Sequence, residues 1–323
     1  MNRRQFITAS ALLGAAGFAS SALSMALPRK GALPDGPVTL YYEFRLAEPE
    51  NAAVIAAIQA QAAALNKTSG FLSLALKQMT GDSTMVKNYP ESYKGVLAEA
   101  YLDGVKNKTQ PFYYALFIRF SDYESLLKST TEQWFDNSVV PHLHGFAMTA
   151  NGSVKSPKPM AHYRGVFQTV VAGNRNGIYY QPQKIAKFLS QAVDEPAKGM
   201  ITVGNHVMVH DEGHEAWEKQ VSILLKVAQE TYQPNDEANA LGLPGARDNN
   251  HYRKAVSTEI MRNAFPDGSL RAYLMHGVWE SVWDHENSHL DPRFKQGSAP
   301  VGMGVVIGPV EPFYQTRILL VRG

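Results

Sequence analysis

The sharpest chemical pattern in the sequence is His285-Glu286-Asn287-Ser288-His289. On a helix, H-E-x-x-H sets two imidazoles on one face, where they can share a zinc ion while Glu286 positions or deprotonates a water. Its surroundings fit a zinc protease poorly. Charged Asp284 precedes it, Pro292 is expected to end the helix within a turn, and no histidine follows His289. A third ligand has to be Asp291, Glu311 or a residue from earlier in the chain. A zinc-dependent hydrolase using His285, Glu286 and His289, with His285 and His289 as metal ligands, is therefore an alternative. The plainer reading makes these residues the solvated face of a helix.

A second set is His206, His210 and His214. Met200 to His210 reads as a strand, and at ~3.3 Å per residue His206 and His210 lie about 13 Å apart. Zinc–nitrogen bonds of roughly 2.1 Å forbid a shared ion there. These two histidines do face the same side, with Met208 between them. His206 is the acid/base candidate, because imidazole titrates near neutral pH. Pro141-His142-Leu143-His144 reads as a surface loop. Tyr41, Tyr42, Tyr113 and Tyr114 occupy neighbouring strands, as packed core or as the lining of an aromatic cavity. Gly302-x-Gly304 is too short for a phosphate loop, and no Walker, dinucleotide or nucleophile-elbow motif occurs. The absence of cysteine excludes thiolate nucleophiles, thiolate-bound zinc, iron–sulfur clusters and disulfides.

The elements that position these residues follow from periodicity. Val38 to Leu46 reads as a strand. Glu48-Pro49-Glu50 opens a helix whose face is Val54, Ile55, Ile58, Ala62 and Leu65. Leu72, Leu74 and Leu76 alternate as a strand. Residues 81–110 read as an insert with an amphipathic helix. Pro111 to Phe120 is a strand, Ser121-x-x-Glu124 a capping box for the next helix, and Tyr163 to Val171 a strand. After a connector with a short helix near Ile185–Ala192, the order recurs. The strand to His210 leads into a helix with the stripe Trp217, Val221, Leu224, Leu225 and Ala228. A polar insert over about residues 231–252 precedes strands Val256–Arg262 and Leu270–Trp279. A helix over Ser281–Leu290 and strands Val301–Ile307 and Phe313–Val321 finish the chain. The pattern predicts an α+β fold of two tandem ferredoxin-like (βαββαβ) units, residues 38–171 and 199–323, joined by residues 172–198. The two sheets are expected to pack face to face with helices outside.

The chain has 323 residues, 45% apolar and 19% charged. Arg3-Arg4 followed by a soft apolar stretch and Ser24-Met25-Ala26 reads as a twin-arginine signal over residues 1–26. Its removal takes two arginines and no other charge, so the formal +2 falls to zero. A neutral chain lacks the field that nucleic acid or anionic lipid requires. The expected location is the periplasm. The expected partners are the export machinery and a small-molecule ligand, with no membrane attachment after processing and the oligomeric state open.

Val209-His210-Asp211-Glu212-Gly213-His214-Glu215-Ala216-Trp217 resembles the strand-to-helix junction of antibiotic biosynthesis monooxygenase-like domains, members of the dimeric α/β-barrel superfamily. Val278-Trp279-Glu280-Ser281, with His289 and Arg293-Phe294, resembles their third strand and second helix. Glu48-Pro49-Glu50, Ser69-Gly70-Phe71 and Phe117 to Leu126 give a fainter version in the first half. The resemblance implies an oxygenase-like oxidoreductase acting on a small apolar or aromatic molecule in a sheet–helix cavity. His206, Asn205 and His289 are then the candidate catalytic residues, and Trp279, Met208 and His210 contact substrate. In the heme-degrading branch, Asn205 matches, but the expected second tryptophan and histidine are Ser288 and Ser298 here. The cofactor stays open among none, heme and a metal ion. A non-catalytic ligand- or heme-binding protein is the remaining alternative.

Overall fold

A computed structural model describes residues 33–82, 112–150, 152–230, 254–289 and 292–322, without the side chains of 146–149, 152, 153, 157, 158, 283, 286, 287, 292, 295 and 310. The leader read as an export signal and the bulk of the two inserts lie outside the described residues. Strand β1 (Val38–Leu46) is rich in β-branched and aromatic residues, which suit a pleated, buried surface. Helix α1 (Glu48–Leu65) carries proline in its first turn, where the missing N–H costs nothing, and buries Val54, Ile58, Ala62 and Leu65. Gly70 turns the chain at φ +74°, a conformation glycine adopts freely. Strands β2 (Phe71–Asp82) and β3 (Phe112–Phe120) follow. Helix α2 (Tyr123–Lys128) is capped by Asp122, which accepts from the Ser125 N–H at 2.7 Å. The expected cap was Ser121, one residue earlier. The Asp122 carboxylate reaches the N3 amide from the extended position, and the Ser121 hydroxyl bonds to that carboxylate instead.

Helix α3 (Thr131–Ser138) precedes a hairpin, β4 (His144–Thr149) and β5 (Gly152–Pro159), that has no counterpart in the sequence reading. Two prolines and two lysines in β5 conceal it from strand periodicity. Then come β6 (Tyr163–Asn174), β7 (Gly177–Tyr179), α4 (Pro182–Leu189) and β8 (Ile201–His210). Helix α5 (His214–Glu230) buries Trp217, Val221, Leu224, Leu225 and Ala228, of which the valine and the two leucines are each worth on the order of 1.5–3 kcal/mol when fully desolvated. Strands β9 (Ser257–Asn263) and β10 (Leu270–Trp279) follow. Helix α6 spans Val282–Ser288, shorter than expected, and α7 spans Pro292–Gly304. Pro292 therefore opens a helix rather than closing one, since its fixed φ suits a first helical position. Helix α7 takes in Val301, so β11 begins at Val305 (Val305–Val310), followed by β12 (Pro312–Val321).

The strands run β1-β3-β2-β12-β8-β10-β9-β6 side by side, and β6 pairs back onto β1. Every pairing is antiparallel, so eight strands close into a barrel. Two seams join the early strands to the late ones: β2 to β12, with Lys77 opposite Thr316, and β6 to β9, with Thr169 opposite Met261. The expected face-to-face sheets are thus one hydrogen-bonded wall. Closure leaves no unpaired edge among the eight, and eight strands enclose a space that side chains can fill.

Alternate residues of each strand separate into two cores. Val38, Leu40, Tyr42, Leu74, Leu76, Leu116 and Ile118 face outward, under α1. Val207 and Val209 do the same under α5. The other face forms an internal cluster to which seven strands contribute: Tyr41, Ala75, Ala115, Phe117, Phe167, Met261, Leu274 and Tyr314. No helix among the described residues is long and apolar enough to cross a membrane.

Candidate active site

The internal cluster is apolar in its middle and polar at both ends. At the open end stand Tyr41 and Glu43 of β1 and His206 of β8. Tyr41 donates its phenol hydrogen to Glu43. His206 Nε2 lies 3.1 Å from Glu43 Oε1, with the two side chains 28% and 29% exposed. The contact is close but not aligned as a hydrogen bond, so a small swing of either side chain makes it one. Burial first, then the Glu43 carboxylate, pushes the Tyr41 phenol well above its usual pKa. Tyr41 therefore stays a hydrogen donor at neutral pH. Its ring packs on Phe117, Tyr163, Phe167 and His206 at centroid distances of 4.9–6.1 Å. Gly165 on β6 leaves room for those rings, since a Cβ there would come within 2.7 Å of both Tyr163 and Phe167. The arrangement is a base beside a carboxylate and a phenol, at the rim of an aromatic interior.

The opposite end is sealed by charge. Asp194, from the loop after α4, reaches into the barrel. Arg119 binds it through Nη1 to Oδ2 at 2.6 Å, and Lys77 Nζ lies 3.1 Å from Oδ1. Arg119 also bonds Glu259 at 2.7 Å, and Lys77 donates to Thr202 at 2.7 Å. His276 Nε2 stands 3.4 Å from Asp194 Oδ1. The Phe117 ring roofs the group, 5.2 Å from the Arg119 guanidinium and 5.2 Å from the His276 ring, within cation–π range of the former. All five charged or titratable side chains are buried. Burial alone would raise the Asp194 carboxyl, but Arg119 and Lys77 outweigh it and hold it well below the usual carboxylate range. Burial pushes the Lys77 ammonium down, against the pull of Asp194. Burial also lowers His276, so its imidazole is neutral at neutral pH. Two cations against two carboxylates keep the group electrically balanced.

The sequence-derived site residues divide across the barrel wall. His206 and Met208 are on the inner face of β8, and His210 is exposed at the strand's end. Asn205 is on the outer face, where its amide donates to Glu311. Trp279 is buried outside the barrel with Ile201, Val203, Ala228 and Phe313. His206 and Asn205 therefore cannot line one pocket, because adjacent strand residues point to opposite faces. His289 joins Asn205 on the outside. There the ligand atoms of His285, His289 and Glu311 all lie within 4.8 Å of one another. The His285 ring is ringed by Trp279 at 5.1 Å, Phe313 at 5.6 Å and His289 at 4.5 Å. The Glu286 side chain lies outside the described residues. His214 bonds its own turn through Asp211 and does not meet His206. Of the tyrosines, Tyr41 is internal, while Tyr42 stacks on Phe135 outside the barrel at 3.7 Å.

Glu43, Lys77, Arg119, Asp194, Glu259 and His276 were not among the sequence candidates. Glu43, Lys77, Glu259 and His276 stand on strands next to apolar residues of the other face, which reads as a solvent face. The available signal was β3, where Arg119 lies within an otherwise apolar and aromatic run.

Residues 37–125 match the family model for the ABM-like domain, and residues 170–317 match the model for the CT0912-like C-terminal domain. No curated protein sequence matches the chain. A Fusobacterium nucleatum subsp. nucleatum structure named "putative monooxygenase" is 9% identical, with a TM-score of 0.50 over 89% of this chain and 95% of that one. A Lactobacillus acidophilus structure of the same name is 10% identical, with a TM-score of 0.49 over 90% of this chain and 98% of that one. An anthrone oxidase-like protein is 13% identical, with a TM-score of 0.46 over 90% and 94%. At 9% identity, the likeness to the Fusobacterium structure speaks to fold alone. Residues 37–125 are thus similar to the ABM-like domain, and the closed antiparallel barrel that contains them is similar in fold to the Fusobacterium structure.

Proposed function

We propose that the chain is an oxygenase-like oxidoreductase acting on a small apolar or aromatic molecule at the open end of the barrel, with His206 as the base. The observation that carries this reading is the approach of His206 Nε2 to Glu43 at 3.1 Å, beside Tyr41 and at the rim of an aromatic interior. A carboxylate that swings into line with an imidazole orients it for general-base catalysis. Substrate with an acidic C–H or phenolic O–H gives its proton to His206, and the anion that remains can pass electrons to dioxygen. For an activated methylene, one oxygen becomes the carbonyl and the other leaves as water. The substrate supplies all four electrons, and the proton held by His206 leaves in that water. No bound cofactor is needed for the balance.

The barrel is further read as two tandem ferredoxin-like units, residues 38–171 and 199–323, joined by residues 172–198. In support, β6-β1-β3-β2 and β12-β8-β10-β9 place the fourth, first, third and second strand of each half in the same order. The leader over residues 1–26 would deliver the folded chain to the periplasm through the twin-arginine machinery. Sequencing the N-terminus of exported protein tests that part.

The activity test is oxygen uptake by residues 27–323 with a panel of phenols and tricyclic methylene ketones. Uptake that His206→Gln abolishes supports the reading. Tight binding across the panel without uptake would make the chain a ligand-binding protein instead.

A further inference from the structure

We infer that His285, His289 and Glu311 form a binding site for one divalent first-row transition-metal ion, of the zinc class, on the outer side of the barrel wall. Two imidazoles come from one turn at the end of α6, and the carboxylate comes from the corner between β11 and β12. Their ligand atoms lie within 4.8 Å of one another. An ion bound at ~2.1 Å to each would bring them to about 3.4 Å from one another. Two nitrogens and one oxygen match the donors that zinc takes when it keeps a fourth position open. Imidazole selects such ions over magnesium and calcium, which prefer oxygen alone.

The surroundings support the assignment independently. Asn205 donates to Glu311, the kind of outer contact that fixes a ligating carboxylate. Trp279, Phe313 and Phe294 wall the imidazoles, with Phe294 5.0 Å from His289. An apolar wall excludes water and strengthens the attraction of a carboxylate for a cation. An ion there would clip helix α6 to the β11–β12 corner. The site lies across β8 from His206, so it does not depend on the proposed reaction.

The test is a titration of chelator-stripped mature protein with zinc sulfate by calorimetry, repeated with cobalt(II) as an optical probe. The expected result is one ion per chain, retained against excess magnesium. Glu311→Gln keeps a partner for Asn205, and it and His289→Gln should each weaken binding at least tenfold. Asn205→Ala should weaken it about 10- to 100-fold. Zinc should raise the thermal midpoint of the parent and not that of Glu311→Gln, which also shows whether the variant folds. Unchanged zinc affinity in Glu311→Gln, or displacement by magnesium, overturns the assignment. Because the readout is binding, it can fail while oxygen uptake succeeds, and the reverse.

Discussion

Arg119 and Asp194, 75 positions apart in sequence, meet through two contacts at the sealed end of the barrel, Nη1 to Oδ2 at 2.6 Å and Nη2 to Oδ1 at 3.3 Å. Both side chains are closed off from solvent. Asp194 also approaches Lys77 and His276, so one loop carboxylate ties an early strand pair to a late one. Arg119 extends the tie to Glu259 on β9.

Removing that carboxylate leaves two buried cations, Lys77 and Arg119, with Glu259 as the one carboxylate of the group. Asp194→Ala is expected to lower the unfolding free energy by about 3–5 kcal/mol, since breaking one partner of a buried pair leaves an uncompensated charge. Asp194→Asn keeps the shape and should cost less. Urea denaturation of both variants measures the difference, and equal midpoints with the parent would show that the ion pair adds nothing.

Acid should weaken the fold in two steps. The folded His276 resists protonation because it is buried, while the unfolded chain accepts a proton near pH 6.5. Below that value the unfolded state binds more protons, so stability falls until the folded histidine titrates. Asp194 adds a second loss at lower pH, from its unfolded value near 3.9 down through its depressed folded value. Urea midpoints measured from pH 7.5 to 2.5 should fall first below pH ~6.5 and again below pH ~4. His276→Gln should flatten that first limb without removing the steeper loss in stronger acid.

At the open end the effect should be kinetic rather than structural. His206→Gln is expected to lower kcat by roughly 10²- to 10⁴-fold, the usual contribution of a positioned base, with little change in the thermal midpoint. Glu43→Gln should give a smaller loss, and Tyr41→Phe the smallest. Oxygen-uptake rates across pH 5 to 9 check the order. A His206 variant with parental kcat would remove the base from its role.

Gly70 offers a test of the barrel's outer layer. It sits at φ +74°, and a Cβ there would approach the Ser125 Oγ to 2.1 Å. Gly70→Ala should cost about 1–3 kcal/mol from strain alone. Adding Ser125→Gly should recover only the part due to collision. Thermal melts of the single and double variants separate the two contributions.

Periodicity read the barrel's strands where each carries one apolar face, as with Leu116, Ile118 and Phe120. It read the stripe of α5 for the same reason. It grouped Leu72 with Leu74 and Leu76, whereas an irregularity in β2 gives Phe71 that place and turns Leu72 toward α4. It missed the β4–β5 hairpin, whose prolines and lysines mask a strand, and it placed Ser121 where Asp122 caps. The H-E-x-x-H spacing did mark two residues that the fold brings together. Glu311 was one of several possible companions, and no spacing rule selects a partner that arrives through a strand corner.

Sequence alone determined the outward half of the molecule. The alternating leucines and the helical stripes had to pack on one another, because that is the arrangement that buries both. Tertiary structure decided what the other half of each strand does. Ser73, Lys77, Arg119, Thr202, His206, Glu259 and His276 look like a solvent-facing set until the eight strands close. Closure is a property of pairings between distant segments, β2 with β12 and β6 with β9, that local periodicity does not encode. Once the wall closes, Lys77, Arg119, Glu259 and His276 meet around Asp194, and charge that would have been hydrated must be balanced from within.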